Sequence, residues 1–329
     1  MQIYQQYLRD ILQNGRYKQD RTGTGCYSLY GPQYVYDLRK GLPVMTLRKF
    51  SPNASIHELI GFIAGKTNLR DPVFAGIKIW DEWALKESCV TPQGVELLPG
   101  EIGPMYGHKW RSFGGVDQLR ELVDNLRNRP NSRRHVVTAW DPTLLPDESI
   151  SPEENVMLGR GALAECHCFF QCFPYELTLE ERCAISPMSY SDYFRPDGDD
   201  AFPGAPERLQ ALLARYDVPT YGMDLKLYQR SNDAVVGAPS NIAQYAVLLH
   251  LLCHDLNYAV GNFIHSLGDA HIYSNHLQQA RELIDRAPKG LSKIGIRAPK
   301  RTSIFDIRFE DIVIITPEQH PALKCPISK

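Results

Sequence analysis

Ala162-Leu163-Ala164-Glu165-Cys166-His167-Cys168-Phe169-Phe170-Gln171-Cys172 is the stretch on which the reading of this chain turns. It sets a thiol beside an imidazole and follows both with aromatic residues, so reactive side chains sit on a run fit for burial on both faces of a sheet. Two readings compete. Free cysteine behaves as a small buried hydrophobe and most buried cysteines are inert, so an apolar strand rich in cysteine accounts for the composition. A zinc site would use the same ligand types, but Cys166, Cys168 and Cys172 fall on one expected strand with no second ligand pair elsewhere, so no metal is expected. The decision falls to residues far from the stretch.

Upstream, Arg133 and Arg134 lead into a strand from His135 to Trp140; adjacent arginines are commonly surface charge, yet their guanidinium forks suit phosphate. Before them Leu119, Leu122, Val123 and Leu126 mark an amphipathic helix over 116–128, and Gly103 to Gly107, with Tyr106, reads as a turn. Trp80 and Trp83 stand three residues apart, on one face if helical, and would serve a core or wall a flat aromatic ligand. In an apolar helix over 55–64, Glu58 stands among Ile56, Leu59, Ile60, Phe62 and Ile63; burial would raise its pKa and make it a candidate acid or base. The chain opens on an amphipathic helix over 2–13, followed by a small-residue loop, Asp20 to Gly25, carrying Arg21, and a strand from Cys26 to Tyr36.

Downstream, 224–233 alternates as a strand, 242–253 is an almost wholly apolar helix, and 263–267 is a short strand with His271 and Tyr273 beyond it. Phe305, Ile307 and Phe309 alternate with charged residues as a half-buried strand does. Acidic, proline-punctuated 141–160 and the polar 174–222, with a helix from Pro206 to Tyr216, read as surface insertions outside the core. The expectation is one α+β domain over residues 1–329 with a large mixed sheet flanked by helices. A net charge of −2 argues against strong nucleic-acid binding, so any anion must be met locally. No apolar run is long enough to span a bilayer, and eight scattered cysteines form no disulfide framework, as in a cytoplasmic protein.

Taken in order, Asp20 to Gly25, His57-Glu58-Leu59, Ile79 to Ala84, Gly103-Pro-x-Tyr-Gly107, Ser132-Arg133-Arg134, Cys166-His-x-Phe-Phe-Gln171, Leu227 to Ser231, Asn241-Ile-Ala-x-Tyr245 and Gly268 to Tyr273 resemble the thymidylate synthase family of pyrimidine nucleotide C5 one-carbon transferases. The resemblance implies reductive methylation of dUMP to dTMP, with 5,10-methylenetetrahydrofolate as co-substrate, on a homodimer whose sheets meet at the interface. It implies that Cys166 attacks C6 of the pyrimidine, that Glu58 manages protons, and that Arg230, Asp233 and Tyr106 share the catalytic site. Arg21, Arg230 and Ser231 would hold the phosphate with Arg133 and Arg134 from the partner subunit. Asn241 would read the uracil edge, where an acid would suit cytosine; His271 and Tyr273 would take the sugar hydroxyl, and His167 would orient the nucleotide. Trp80, Trp83, Asp233, Gly237 and Glu58 would line the folate.

Three positions depart from the family pattern. Glu165 replaces the usual proline before the nucleophile and would raise the Cys166 pKa if its carboxylate points inward. Ser240 replaces a phenylalanine that packs on folate, and Lys329 replaces an apolar terminus that closes the site. Weaker exclusion of water would let a hydroxymethyl product form, so a dUMP hydroxymethylase is the alternative. A catalytically dead nucleotide- or RNA-binding relative is a third reading, opposed by the intact set of Cys166, Glu58 and arginines.

Overall fold

The structure, a computed structural model, describes residues 1–19, 23–187 and 205–326. Arg21, Lys329 and the middle of the expected 174–222 insertion lie outside the described residues. In chain order come helix α1 (Gln2–Asn14), strands β1 (Arg16–Lys18), β2 (Cys26–Tyr30) and β3 (Gln33–Asp37), and helix α2 (Asn53–Ile63). The hairpin of β4 (Cys89–Val90) and β5 (Glu96–Leu97) and helices α3 (Tyr106–Ser112) and α4 (Gln118–Asn128) follow. Then come strands β6 (Val136–Thr138), β7 (His167–Glu176), β8 (Tyr221–Asp233), β9 (Ala259–Tyr273), β10 (Lys293–Ile296) and β11 (Ile312–Ile315).

Seven strands make one mixed sheet in the order β1-β2-β9-β8-β7-β6, with β3 also paired to β9. The expected α+β class holds. β8 and β9 are parallel, and the other neighbours are antiparallel. A parallel pair needs a crossover, here the helix Ala238–Leu256, which is apolar nearly all round and therefore buried. It stops at Asn257, which takes the left-handed conformation that ends helices. On its apolar stripe α1 buries Tyr4, Tyr7, Leu8 and Ile11 against the same core.

Several expected boundaries move, each for a local reason. The single strand over 26–36 is two, interrupted at Gly31-Pro32, and both halves lie along β9. The short strand over 263–267 is the middle of β9, which runs through Gly268 to Tyr273; a Cβ on Gly268 would sit 2.7 Å from the Arg230 carbonyl oxygen, so glycine there permits close approach of β8 rather than breaking the strand. Over 305–309 the chain forms a turn at 304–306, an irregular pair and the start of a short 3₁₀ segment at Phe309–Asp311, not a strand; Ile304 and Ile307 are the buried pair, a spacing of a turn. The Gly103–Gly107 turn ends in α3, whose first residue is Tyr106.

Of the expected insertions, 141–160 is not wholly outside the core: Val156, on the short helix Pro152–Met157 capped by Ser151, is fully buried in it. The other segment begins within β7 and ends within β8, and its described helices, Leu179–Ile185 and Ala205–Arg215, close over a separate small core of Cys183, Leu213 and Val218.

Candidate active site

Cys166 stands one residue before β7, and a bulge follows it: ladder partners pass from His167–Gln229 to Phe169–Tyr228, leaving Cys168 as the extra residue. Along β7, Phe169 and Phe173 face outward while Phe170 and Cys172 are buried. The extra residue resets this alternation, so His167 also turns inward. Cys168 and Cys172 are buried while Cys166 is partly exposed, so Cys166 is the accessible thiol of the three.

The segment is held from two sides. From α3, the Tyr106 hydroxyl accepts a hydrogen bond from the Cys166 N–H at 2.9 Å, and Lys109 Nζ lies 2.5 Å from Glu165 Oε1. From β8, the Arg230 backbone N–H donates to the Cys166 carbonyl at 2.7 Å, while its guanidinium donates to the carbonyls of Glu165 (2.8 Å) and Ala164 (2.9 Å). Burial pushes the Cys166 thiol up, Arg230 draws it down and Glu165 pushes it up. Glu165 thus points inward and acts in the expected direction, but its charge is met by Lys109, a residue not singled out from the sequence.

His167 Nδ1 is 2.9 Å from the Tyr245 hydroxyl, and its ring stacks on Tyr106 with centroids 4.0 Å apart. Burial, with a smaller contribution from His265, pushes its pKa down to about 3, so it is neutral at pH 7 and serves as a hydrogen-bonding group. Glu58, buried on α2, accepts from Trp80 Nε1 at 2.5 Å on one oxygen and from Gln244 Nε2 at 2.8 Å on the other. Burial pushes this carboxyl up and the two donors draw it back. Residues 79–83 are turns rather than helix, yet they bring the Trp80 and Trp83 rings edge to face at 5.7 Å, with Trp80 also 6.2 Å from Tyr106. Glu58, Trp80, Tyr106, His167 and Cys166 therefore form one contiguous group.

Around it the other expected residues sit at strand and helix ends. Asn241 lies in the helix that follows Gly237, and its amide oxygen accepts from Gln229 Nε2 (3.0 Å) and Asn232 Nδ2 (3.2 Å). Gln229 is in turn bonded to buried His265, and Asn232 to Tyr7. Asp233, at the end of β8, accepts from the N–H groups of Val235 and Val236 and is the ladder partner of His271. Ser231 is two residues earlier on β8. His271 Nδ1 approaches Asp269, whose carboxyl is held well below its usual range against burial by His271, Lys18 and Ser28. Tyr273 ends β9 opposite Cys26. Arg133 and Arg134 stand apart: both are exposed before β6, and no ion pair or side-chain hydrogen bond joins them to the other site residues among the described residues.

A partly exposed thiol at the mouth of a strand, gripped through its backbone and lying in one contact chain with a buried carboxylate, is an arrangement compatible with covalent catalysis. The family model for thymidylate synthase matches residues 2–188 and 210–329, leaving residue 1 and part of the polar insertion uncovered. Relatives include thymidylate synthases of Francisella philomiragia, 37% identical over 330 residues, and of Francisella tularensis subsp. holarctica, 36% identical; each match covers all of both chains. The chain belongs to the thymidylate synthase family, a family of methyltransferases. These relatives do not favour the hydroxymethylase alternative. No helix among the described residues is long and apolar enough to cross a membrane.

Proposed function

We propose that the enzyme converts dUMP to dTMP, with Cys166 as the nucleophile. The observation that carries this reading is the grip on Cys166 by Tyr106 and Arg230 within one contact chain of buried Glu58. The Cys166 thiolate adds to C6 of the pyrimidine, and the electron pair of the C5–C6 bond moves toward C5 and O4, making C5 nucleophilic. Glu58, with a raised pKa and neutral donors on both oxygens, holds or yields a proton near O4. Asn241 selects the base: its amide oxygen is already taken by two donors, so the N–H₂ is left to donate to a carbonyl such as O4, whereas the amino group of cytosine would meet it donor to donor.

The pair Trp80 and Trp83, each partly buried beside Glu58, fits a flat heterocycle, with Asp233 and Gly237 at the neighbouring strand end. Methylenetetrahydrofolate, when bound, supplies the one-carbon unit and the hydride. Arg21, Arg230 and Ser231 meet the phosphate, and His271 and Tyr273 the sugar hydroxyl. A second copy completes the site. The sheet's outer face presents Phe169, Phe173, Val136 and Val35, and aligned rows such as Val136–Gln171–Lys226–Ile264–Val35 make it a continuous surface suited to another sheet. Arg133 and Arg134 then serve the partner's phosphate; mixing Arg133→Ala/Arg134→Ala chains with Cys166→Ser chains should restore turnover, and no restoration would refute shared sites. All eight cysteines are free, as suits the cytoplasm.

Purified enzyme given dUMP and methylenetetrahydrofolate should produce a nucleotide one methyl heavier, together with dihydrofolate. A hydroxymethyl nucleotide without dihydrofolate would contradict the assignment.

A further inference from the structure

Lys109 and Glu165 form an ion pair from which water is excluded: the side chains are 1% and 0% exposed. Lys109 takes one Glu165 oxygen, and Oε2 is buried with no hydrogen-bond partner among the described residues. Burying two charges is costly, and apolar residues of similar volume often serve stability as well or better, so stability alone is a poor account of the pair. Its location supplies a better one. Lys109 follows Tyr106 by three residues on α3, which places both on one side of that helix. Glu165 precedes Cys166. The helix therefore grips two consecutive residues, Glu165 by its carboxylate and Cys166 by its N–H, while Arg230 holds the carbonyls of 164, 165 and 166 from β8.

We propose that Lys109 and Glu165 are positioning residues for the nucleophile, their ion pair clamping the 164–166 segment to α3 so that the Cys166 sulfur is presented to C6. The inference rests on the assignment of Cys166 as nucleophile. Thiol acidity is not what the pair provides. Of the charged groups facing Cys166, Arg230 favours the thiolate and Glu165 opposes it, so the clamp works against acidity and must earn its place through geometry.

That opposition makes a test in which the two effects move apart. The variant Lys109→Met/Glu165→Leu replaces the pair by apolar side chains of similar length and should have an unfolding temperature no lower than the parent's. At pH 7 its Cys166 should react with iodoacetamide at a rate within about threefold of the parent's, because a carboxylate and the ammonium against it leave together. Its kcat should nevertheless fall about tenfold or more, with KM for dUMP changed less than about twofold. A kcat within about twofold of the parent's would overturn the proposal. If that variant does not fold, Glu165→Gln, normalised by thiol titration, decides on the same two readouts: faster alkylation with lower kcat supports the clamp, and unchanged kcat refutes it. Parent enzyme assayed alongside keeps the questions separate, since absence of dUMP turnover there, or survival of turnover in Cys166→Ser, would refute the functional assignment rather than the clamp.

Discussion

The site buries two carboxylates, and they are treated differently. Glu58 receives one neutral donor on each oxygen, from Trp80 and Gln244, and no cation among the described residues. Glu165 receives the Lys109 ammonium on one oxygen and, among the described residues, no hydrogen bond on the other. Burial pushes both carboxyls up, but only Glu165 has an opposite charge against it. Glu58 is met by neutral donors and Glu165 by a cation, so on the proposed reading Glu58 is the acid that handles a proton within a turnover and Glu165 the one that tethers. A buried acid is thus assigned its role by the charge of what faces it.

That contrast can be broken most severely at Glu58. Glu58→Gln keeps the shape and removes the titrating group, and should lower kcat about a hundredfold to a thousandfold with dUMP affinity changed by less than about threefold. A loss no larger than that of Glu165→Gln would erase the distinction between a proton-handling acid and a tethering one. A smaller effect sharpens it. Gln244→Leu removes a donor to the charged form, so the Glu58 pKa rises further and, at a given acidic pH, less of it is ionised. The acid limb of the kcat profile should move to higher pH by about half to one unit, with the plateau nearly unchanged. A limb that stays in place would detach Gln244 from Glu58.

Much of this arrangement is legible in the sequence because its parts are short and local. The Cys166-His167 dipeptide, Glu58 in an apolar helix, and the paired tryptophans each show their chemistry within a few residues, and the apolar run at 242–253 announces a buried helix. What escapes is set by distance and by phase. Lys109 lies 56 residues from Glu165, in a stretch whose Gly103, Pro104 and Gly107 suggest a turn; only the start of α3 at Tyr106 places it beside the nucleophile. Gln244 is the unspecified position of the Asn241 motif, and its contact with Glu58 spans 186 residues. The inward turn of His167 depends on a bulge that no alternation rule predicts. At 305–309 the alternation of apolar and charged residues has the period of a strand, whereas the side chains that are buried follow the period of a turn.

The central claim is that Cys166 bonds covalently to the pyrimidine, and it is tested most directly by mass spectrometry of the enzyme incubated with 5-fluoro-dUMP and methylenetetrahydrofolate. Fluorine at C5 does not leave as a proton does, so the adduct should persist. A mass gain that includes the nucleotide is expected, located on the peptide carrying Cys166 and absent from Cys166→Ser. An enzyme that turns over dUMP but yields no adduct, or carries it on Cys168 or any other residue, would contradict it.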